Sequence, residues 1–349
     1  MKISKIRNGS IFSITYKLRV TAARKQIGAN FEESDNYRQK IVFDIKVKLT
    51  KMDIDTAYIE PLHNHWLEHI RKENEKRKKF IREKNEFFMP FVATSMPVVK
   101  TIFAIAENLG LTSNAKYLTV SLYDQFMYNH FSEVYRTEYE NGLLSEETWT
   151  QICKKISSQA KLRLMSCMQL ASKMDSHSKG LGISQVLCVL QRIDKDHEYT
   201  RNTIFSSEFK VFKTVGFKIP AILTPLHCIQ ILVATTGLRH TPGIFDTVIS
   251  VLDAAYLQHN ELYSHIQLMT LGRYMKSEGD KQNFLEMETD TLYLASSVVL
   301  CSLFFLSLDK KLAKHMAVKL SDLVNIPSND ILNMANLLFT MTMQDTDPL

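Results

Sequence analysis

Two charged residues at helix-end positions are the strongest candidates for chemistry in this 349-residue chain. Lys173 closes the segment 161–173, KLRLMSCMQLASK, and Glu208 stands near the start of 207–219, SEFKVFKTVGFKI. Each segment reads as an amphipathic helix. A long cation and a carboxylate beside apolar surface suit recognition, because together they can bind polar backbone groups on a partner helix. On pattern alone, two solvated helix-end residues are the simpler reading.

Catalytic and metal-binding arrangements are weaker. His65 and His69 in HNHWLEH (63–69) would share a helix face, with His63 nearby. No further ligand has convincing spacing, so surface histidines on a polar helix are expected. Asp194 and Asp196 in RIDKDHE are expected to be a solvated loop pair rather than catalytic carboxylates. There is no Gly-rich phosphate loop, dinucleotide fingerprint or G-x-S-x-G elbow. No catalytic residue, cofactor site or metal site is assigned, and the chain is read as a non-enzyme.

The elements that must position Lys173 and Glu208 are helices. Gly (11) and Pro (8) are scarce in a chain that is 45% hydrophobic, a balance that favours helical cores over loop-rich or all-β folds. From about Ser95 the signals become regular. Ser95 can cap a helix with Pro97 in its first turn, and Gly110 stops it. Ser113 or Asn114 can cap the next, AKYLTVSLYDQFMYNHF. After the polar stretch 132–148, Ser145 offers a cap with Glu146 and Glu147 on the favourable end of the dipole. That long helix leads to Lys173 and is broken by Gly180 and Gly182. ISQVLCVLQRI and TIFSSEFKVFKTVGFKI complete five helices. A second run of five begins after Pro220: TPLHCIQILVATTG, TPGIFDTVISVLDAAYLQHN, 291–308, LAKHMAVKLSDLVNI and PSNDILNMANLLFTMTM. The uncharged stretch 291–308, TLYLASSVVLCSLFFLSL, is just long enough to test as a membrane span. Its four serines and the preceding acids favour a buried central helix of that second unit.

Upstream, Arg71–Glu86 is a mixed charge run with Glu73/Arg77 and Glu75/Lys79 at i,i+4, read as a solvated helix. Its KRKK (76–79) could serve nuclear import. Residues 1–51 hold twelve Lys and Arg against four acids, a net +8, so the rest of the chain carries −2 of the total +6. Beyond residue 51 there is no basic bias to draw in nucleic acid, and no direct nucleic-acid site is assigned. The extension reads either as a short hairpin, from Asn8-Gly9 and its period-two stretches, or as a poorly ordered segment. Its first residues lack the apolar core of a signal peptide. The five cysteines (153, 167, 188, 228, 301) lack C-x-x-C spacing and read as small buried thiols of a reduced, intracellular protein.

At this point the residues resemble the cyclin family. LTVSLYDQFM (118–127) is similar to the cyclin second helix, LRLMSCMQLASK (162–173) to the third, which ends in Ala-Ser-Lys, and SEFKVFKTVGFKI followed by TPLH to the fifth and the entry to a second fold. The resemblance covers about 85–349. It implies an all-α architecture of tandem cyclin-like five-helix folds: a basic extension (1–51), a charged helical segment (52–90), a first cyclin box (91–220) with a polar insert (132–158), and a second, degenerate fold (221–344). The insert is similar to that of a meiotic branch of the family. This implies a nuclear, chromosome-associated regulator of crossover maturation that binds a cyclin-dependent kinase and meiotic recombination proteins. An alternative is a scaffold for recombination proteins that activates no kinase. Matched by motif, Lys173 and Glu208 are the kinase-docking residues, gripping the kinase helix that carries its active-site glutamate. The family's first-helix motif is absent. Near 94–101 this chain has TSMPVVKT, with no arginine to pair with Asp124, so the usual substrate-docking patch is not expected.

Overall fold

The computed structural model describes residues 60–83, 95–140, 145–176, 180–217, 219, 224–271, 278–306 and 310–344. The basic extension and its hairpin reading lie outside these residues. Every regular element among the described residues is helical, as the all-α expectation requires. The chain divides into two compact units, Arg82–Thr224 and a unit formed by residues up to Ile81 together with Pro225–Leu349.

The Arg82–Thr224 unit contains α2 (Met96–Asn108), α3 (Ser113–Glu140), α4 (Glu146–Asp175), α5 (Ile183–Ile193) and α6 (Arg201–Thr214). Among the described residues, each helix that the spacing predicts between 95 and 219 is present. Helix α4 is central, because every residue from Leu162 to Ser172 is buried, with α3, α5 and α6 packed on it. A helix apolar on all sides can only be satisfied from all sides. Its start is as expected, with the Ser145 hydroxyl accepting from Thr148 N–H at 3.1 Å. At α3 the capping residue is Thr112, not Ser113 or Asn114: its Oγ1 accepts from Ala115 N–H at 3.1 Å. Ser95 occupies the N-cap of α2 without a side-chain capping bond, leaving Pro in the first turn as the start signal.

The polar insert is largely helix. Helices α3 and α4 run on to Glu140 and back from Glu146, so both lengthen into it. Phe131, Tyr135 and Tyr139 recur every fourth residue and so form a stripe on α3. Trp149 of α4 meets that stripe edge-on at Tyr135, with ring centroids 5.7 Å apart, and packs on Phe131 at 6.4 Å.

The other unit begins with α1 (Glu60–Glu83) and continues through α7 (Pro225–Thr235), a 3₁₀ turn (Leu238–His240), α8 (Ile244–Leu257), α9 (His259–Leu271), α10 (Glu278–Glu288), α11 (Thr291–Phe305), α12 (Lys310–Val324) and α13 (Ser328–Gln344). Helices α9 and α10 go beyond the five read from sequence, so the apolar helix is not third in this unit. It is nevertheless central, as expected. All residues Thr291–Leu303 are buried, and α7, α8, α12 and α13 pack around α11. No described helix is long and apolar enough to cross a membrane.

The charged helix α1 is not solvated all round. Asn74 is buried and donates to Asp290 at 2.8 Å, and Lys78 pairs with the same carboxylate at 2.5 Å. Arg71 Nε donates to the Leu323 carbonyl at 2.8 Å. Asp290 also caps α11, accepting from Leu292 and Tyr293 N–H at 3.1 and 3.0 Å. One carboxylate thus starts the central helix and anchors α1. Burial works against the Lys78 charge, but the Asp290 carboxylate outweighs it and raises the ammonium's pKa.

Candidate docking site

Lys173 and Glu208 are brought together. Lys173 Nζ lies 2.5 Å from Glu208 Oε1, joining the last turn of α4 to α6. The geometry follows from α4: its all-round burial ends at Ser172, so the next residue is the first that can reach outward. The Lys173 side chain is 46% exposed and that of Glu208 11%. The chain after α4 folds back to hold this end. The Ser172 hydroxyl accepts from Leu181 N–H at 2.9 Å. Gly180 lies so close to Lys173 that a Cβ there would meet its Cγ at 3.1 Å and its Cα at 3.3 Å. Gly180 is therefore a close-approach residue as well as a helix breaker. On the neighbouring residue, the Asp175 carboxylate accepts from the Thr112 hydroxyl at 2.6 Å, tying the start of α3 to the same end.

The two residues are not the solvated helix ends that pattern alone suggests, since Glu208 is buried and each has the other as partner. Around them stands apolar surface that sequence reading missed. Phe205 is 64% exposed, Phe209 56%, Phe217 55% and Met174 54%. Phe205 and Phe209 are one helical turn apart, flanking Glu208 on α6. Phe217 packs edge-on against Phe212 at 5.2 Å and beside Phe209 at 6.4 Å. It holds a positive φ of 58° just after the left-handed Gly216, a bend that turns the ring back along α6. The period-four recurrence of Phe205 and Phe209 was the available signal, but it reads equally as a buried face.

An exposed aromatic and methionine patch around a half-open ion pair is an interface in composition. Aromatics and Met are enriched in such patches, and a few of them dominate binding energy. The pair itself contributes little to stability, because one partner is half in water. It instead holds the two charges in fixed positions at the end of α4.

The other candidates from sequence behave differently. Among the described residues, no three His, Cys, Asp or Glu side chains group so as to hold a metal. His69 stacks edge-on with Trp66 at 6.4 Å. Asp194 is not solvated but buried. It accepts from Tyr199 at 2.5 Å and Lys161 at 3.1 Å, with His197 at 3.2 Å. Burial would raise its pKa, yet those three hydrogen bonds lower it, so it works as an ionised strut between α4 and the 194–200 loop. Cys167, Cys228 and Cys301 are buried as expected, whereas Cys188 is exposed.

The chain is 27% identical over 214 residues to the Mus musculus protein named Cyclin N-terminal domain-containing protein 1, covering 59% of this chain and 63% of that protein. It is 25% identical over 214 residues to the Homo sapiens protein of the same name, covering 59% and 64%. The relatives are cyclin-domain proteins. Their names match the resemblance to the cyclin family read from the sequence. The aligned region spans less than two thirds of the length of either relative. No family model and no solved structure matches.

Proposed function

We propose that this chain is a non-catalytic, cyclin-like regulator that docks on a cyclin-dependent kinase through Lys173, Glu208 and the surrounding Phe205, Phe209, Phe217 and Met174. The observation that carries this reading is the coincidence of the motif-matched ion pair with an exposed aromatic surface. The partner's helix lays its apolar side on the phenylalanines. Its backbone groups then compete for the Lys173 ammonium and the Glu208 carboxylate. Such docking sets the kinase's active-site glutamate against its strand lysine, so the regulator contributes positioning rather than chemistry. The similarity of the insert at 132–158 to that of a meiotic branch of the family is the ground for placing this role in meiotic crossover maturation, on chromosomes in the nucleus and alongside recombination proteins.

A second reading, a scaffold that holds recombination proteins without activating a kinase, draws on one feature. Helix α2 opens with Met96 and Pro97, both exposed, where the family's substrate-docking motif would stand. Pull-down of a panel of cyclin-dependent kinases with the full chain separates the two. Recovery of a kinase that Lys173→Ala combined with Glu208→Ala abolishes, with helicity retained, supports docking. Recovery of recombination proteins but no kinase supports the scaffold.

A further inference from the structure

A second polar centre lies where α3, α4 and α6 meet, at the base of the helical insert. Arg163 belongs to the buried stretch of α4 and is 8% exposed. One of its terminal nitrogens donates to the Ser207 hydroxyl at 2.7 Å, the other to Gln159 Oε1 at 2.8 Å. Both acceptors are neutral. Nε is buried and makes no hydrogen bond. A guanidinium this deeply buried normally faces a carboxylate, because leaving the charge uncompensated costs several kcal/mol.

The neighbours add positive charge instead. Lys210 stands one turn beyond Ser207 on α6 and Lys155 two turns before Arg163 on α4. Helix α3 is fastened alongside by Asn129, which donates to the Thr214 carbonyl of α6 at 3.0 Å. The next residue, His130, is stacked on Phe126, and its Nδ1 is buried without a partner. Burial, then the Lys210 and Arg163 charges, push the His130 pKa down; Glu133 opposes them. Burial and Arg163 likewise depress Lys210, with Lys155 adding to the effect and Glu133 again opposing it. The cluster thus sets Arg163, Lys210, Lys155 and an unsatisfied imidazole nitrogen against the carboxylate of Glu133.

We propose that Arg163, Lys210, Lys155 and His130 form a binding site for a phosphate group, either free inorganic phosphate or the phosphate of a modified side chain. A planar guanidinium with an unpaired Nε–H and two ammonium groups match the charge and the three or four acceptor oxygens of a phosphate, which carries close to two negative charges at neutral pH. A carboxylate brings half that charge and fewer acceptors. The site is separate from Lys173 and Glu208 and does not rest on kinase docking.

The test is isothermal titration of the full chain with inorganic phosphate and, separately, with O-phosphoserine. Both are expected to bind one-to-one. Lys210→Ala, at an exposed position, is expected to weaken binding about tenfold through loss of a charge-assisted hydrogen bond. Arg163→Gln should abolish it, and Lys100→Ala on α2 should leave it unchanged. Tighter binding of phosphoserine assigns the site to a modified side chain, and tighter binding of inorganic phosphate to the free anion. No saturable binding of either probe overturns the proposal. So does binding that Lys210→Ala leaves unchanged, a result that stands even if Arg163→Gln fails to fold.

Discussion

Phe205→Ala separates an interface residue from a core residue. The ring is 64% exposed on α6, one turn from Phe209 and flanking Glu208. A phenylalanine side chain offers roughly 200 Å² of largely apolar surface, so about 120 Å² of this one stands in water. Covering that area at about 25 cal/mol/Å² contributes about 3 kcal/mol. Alanine keeps a part of the contact, so the loss on substitution corresponds to about 30- to 100-fold in Kd. In the free protein the same change removes exposed surface and improves helix propensity, so the melting temperature should hold or rise slightly. The assay pairs surface plasmon resonance on the recovered kinase with thermal unfolding of the free chain. An unchanged Kd with an unchanged melting temperature refutes the docking surface. A fall of several degrees in the free protein shows that the ring belongs to the fold, which also refutes the reasoning.

Other outcomes follow from the same geometry. Asp290→Ala removes the α11 cap, leaves the Asn74 amide without its acceptor and leaves Lys78 only Glu75; a loss of about 2–4 kcal/mol in chemical denaturation is expected. A smaller loss than from Asp330→Ala, an exposed acid in the first turn of α13, would contradict the anchoring role. Burial pushes His259 down to about 4 from 6.5, so the folded state binds fewer protons than the unfolded one below pH 6.5. Stability should therefore fall as pH drops from about 6.5 toward 4, by at most about 3 kcal/mol. The hydrogen bond with Asn260 opposes the burial. Urea denaturation at stepped pH should show this slope flatten in His259→Gln, and an unaltered slope would remove His259 as its source.

The central helices were legible because all-round apolarity has few outcomes. The uncharged run 291–303 could only be buried from every side, and it is, while the mostly apolar 162–172 is buried up to the exposed Lys173. Lys173 and Glu208 were legible through the motifs around them, though not their direct pairing, which depends on how α4 and α6 cross. What escaped was decided by tertiary partners. Arg163 sits in an apolar run where an arginine is expected to reach solvent, yet Ser207 and Gln159 draw it inward. Asp194 read as solvated because Lys161 and Tyr199, its donors, lie a helix and a loop away. Phe205 and Phe209 carry the spacing of a core face, and among the described residues no element covers them. Helices α9 and α10 lack a clean apolar stripe. The former was hidden by the continuous pattern through Leu257, which the structure breaks at Gln258.

The most direct test of the account is co-purification of the full chain with a panel of cyclin-dependent kinases, comparing the wild type with Lys173→Ala combined with Glu208→Ala. The expected result is one or more kinases retained by the wild type and lost from the double variant, whose circular dichroism matches the parent. Kinase retained equally by both proteins would contradict the assignment of Lys173 and Glu208 as the docking pair.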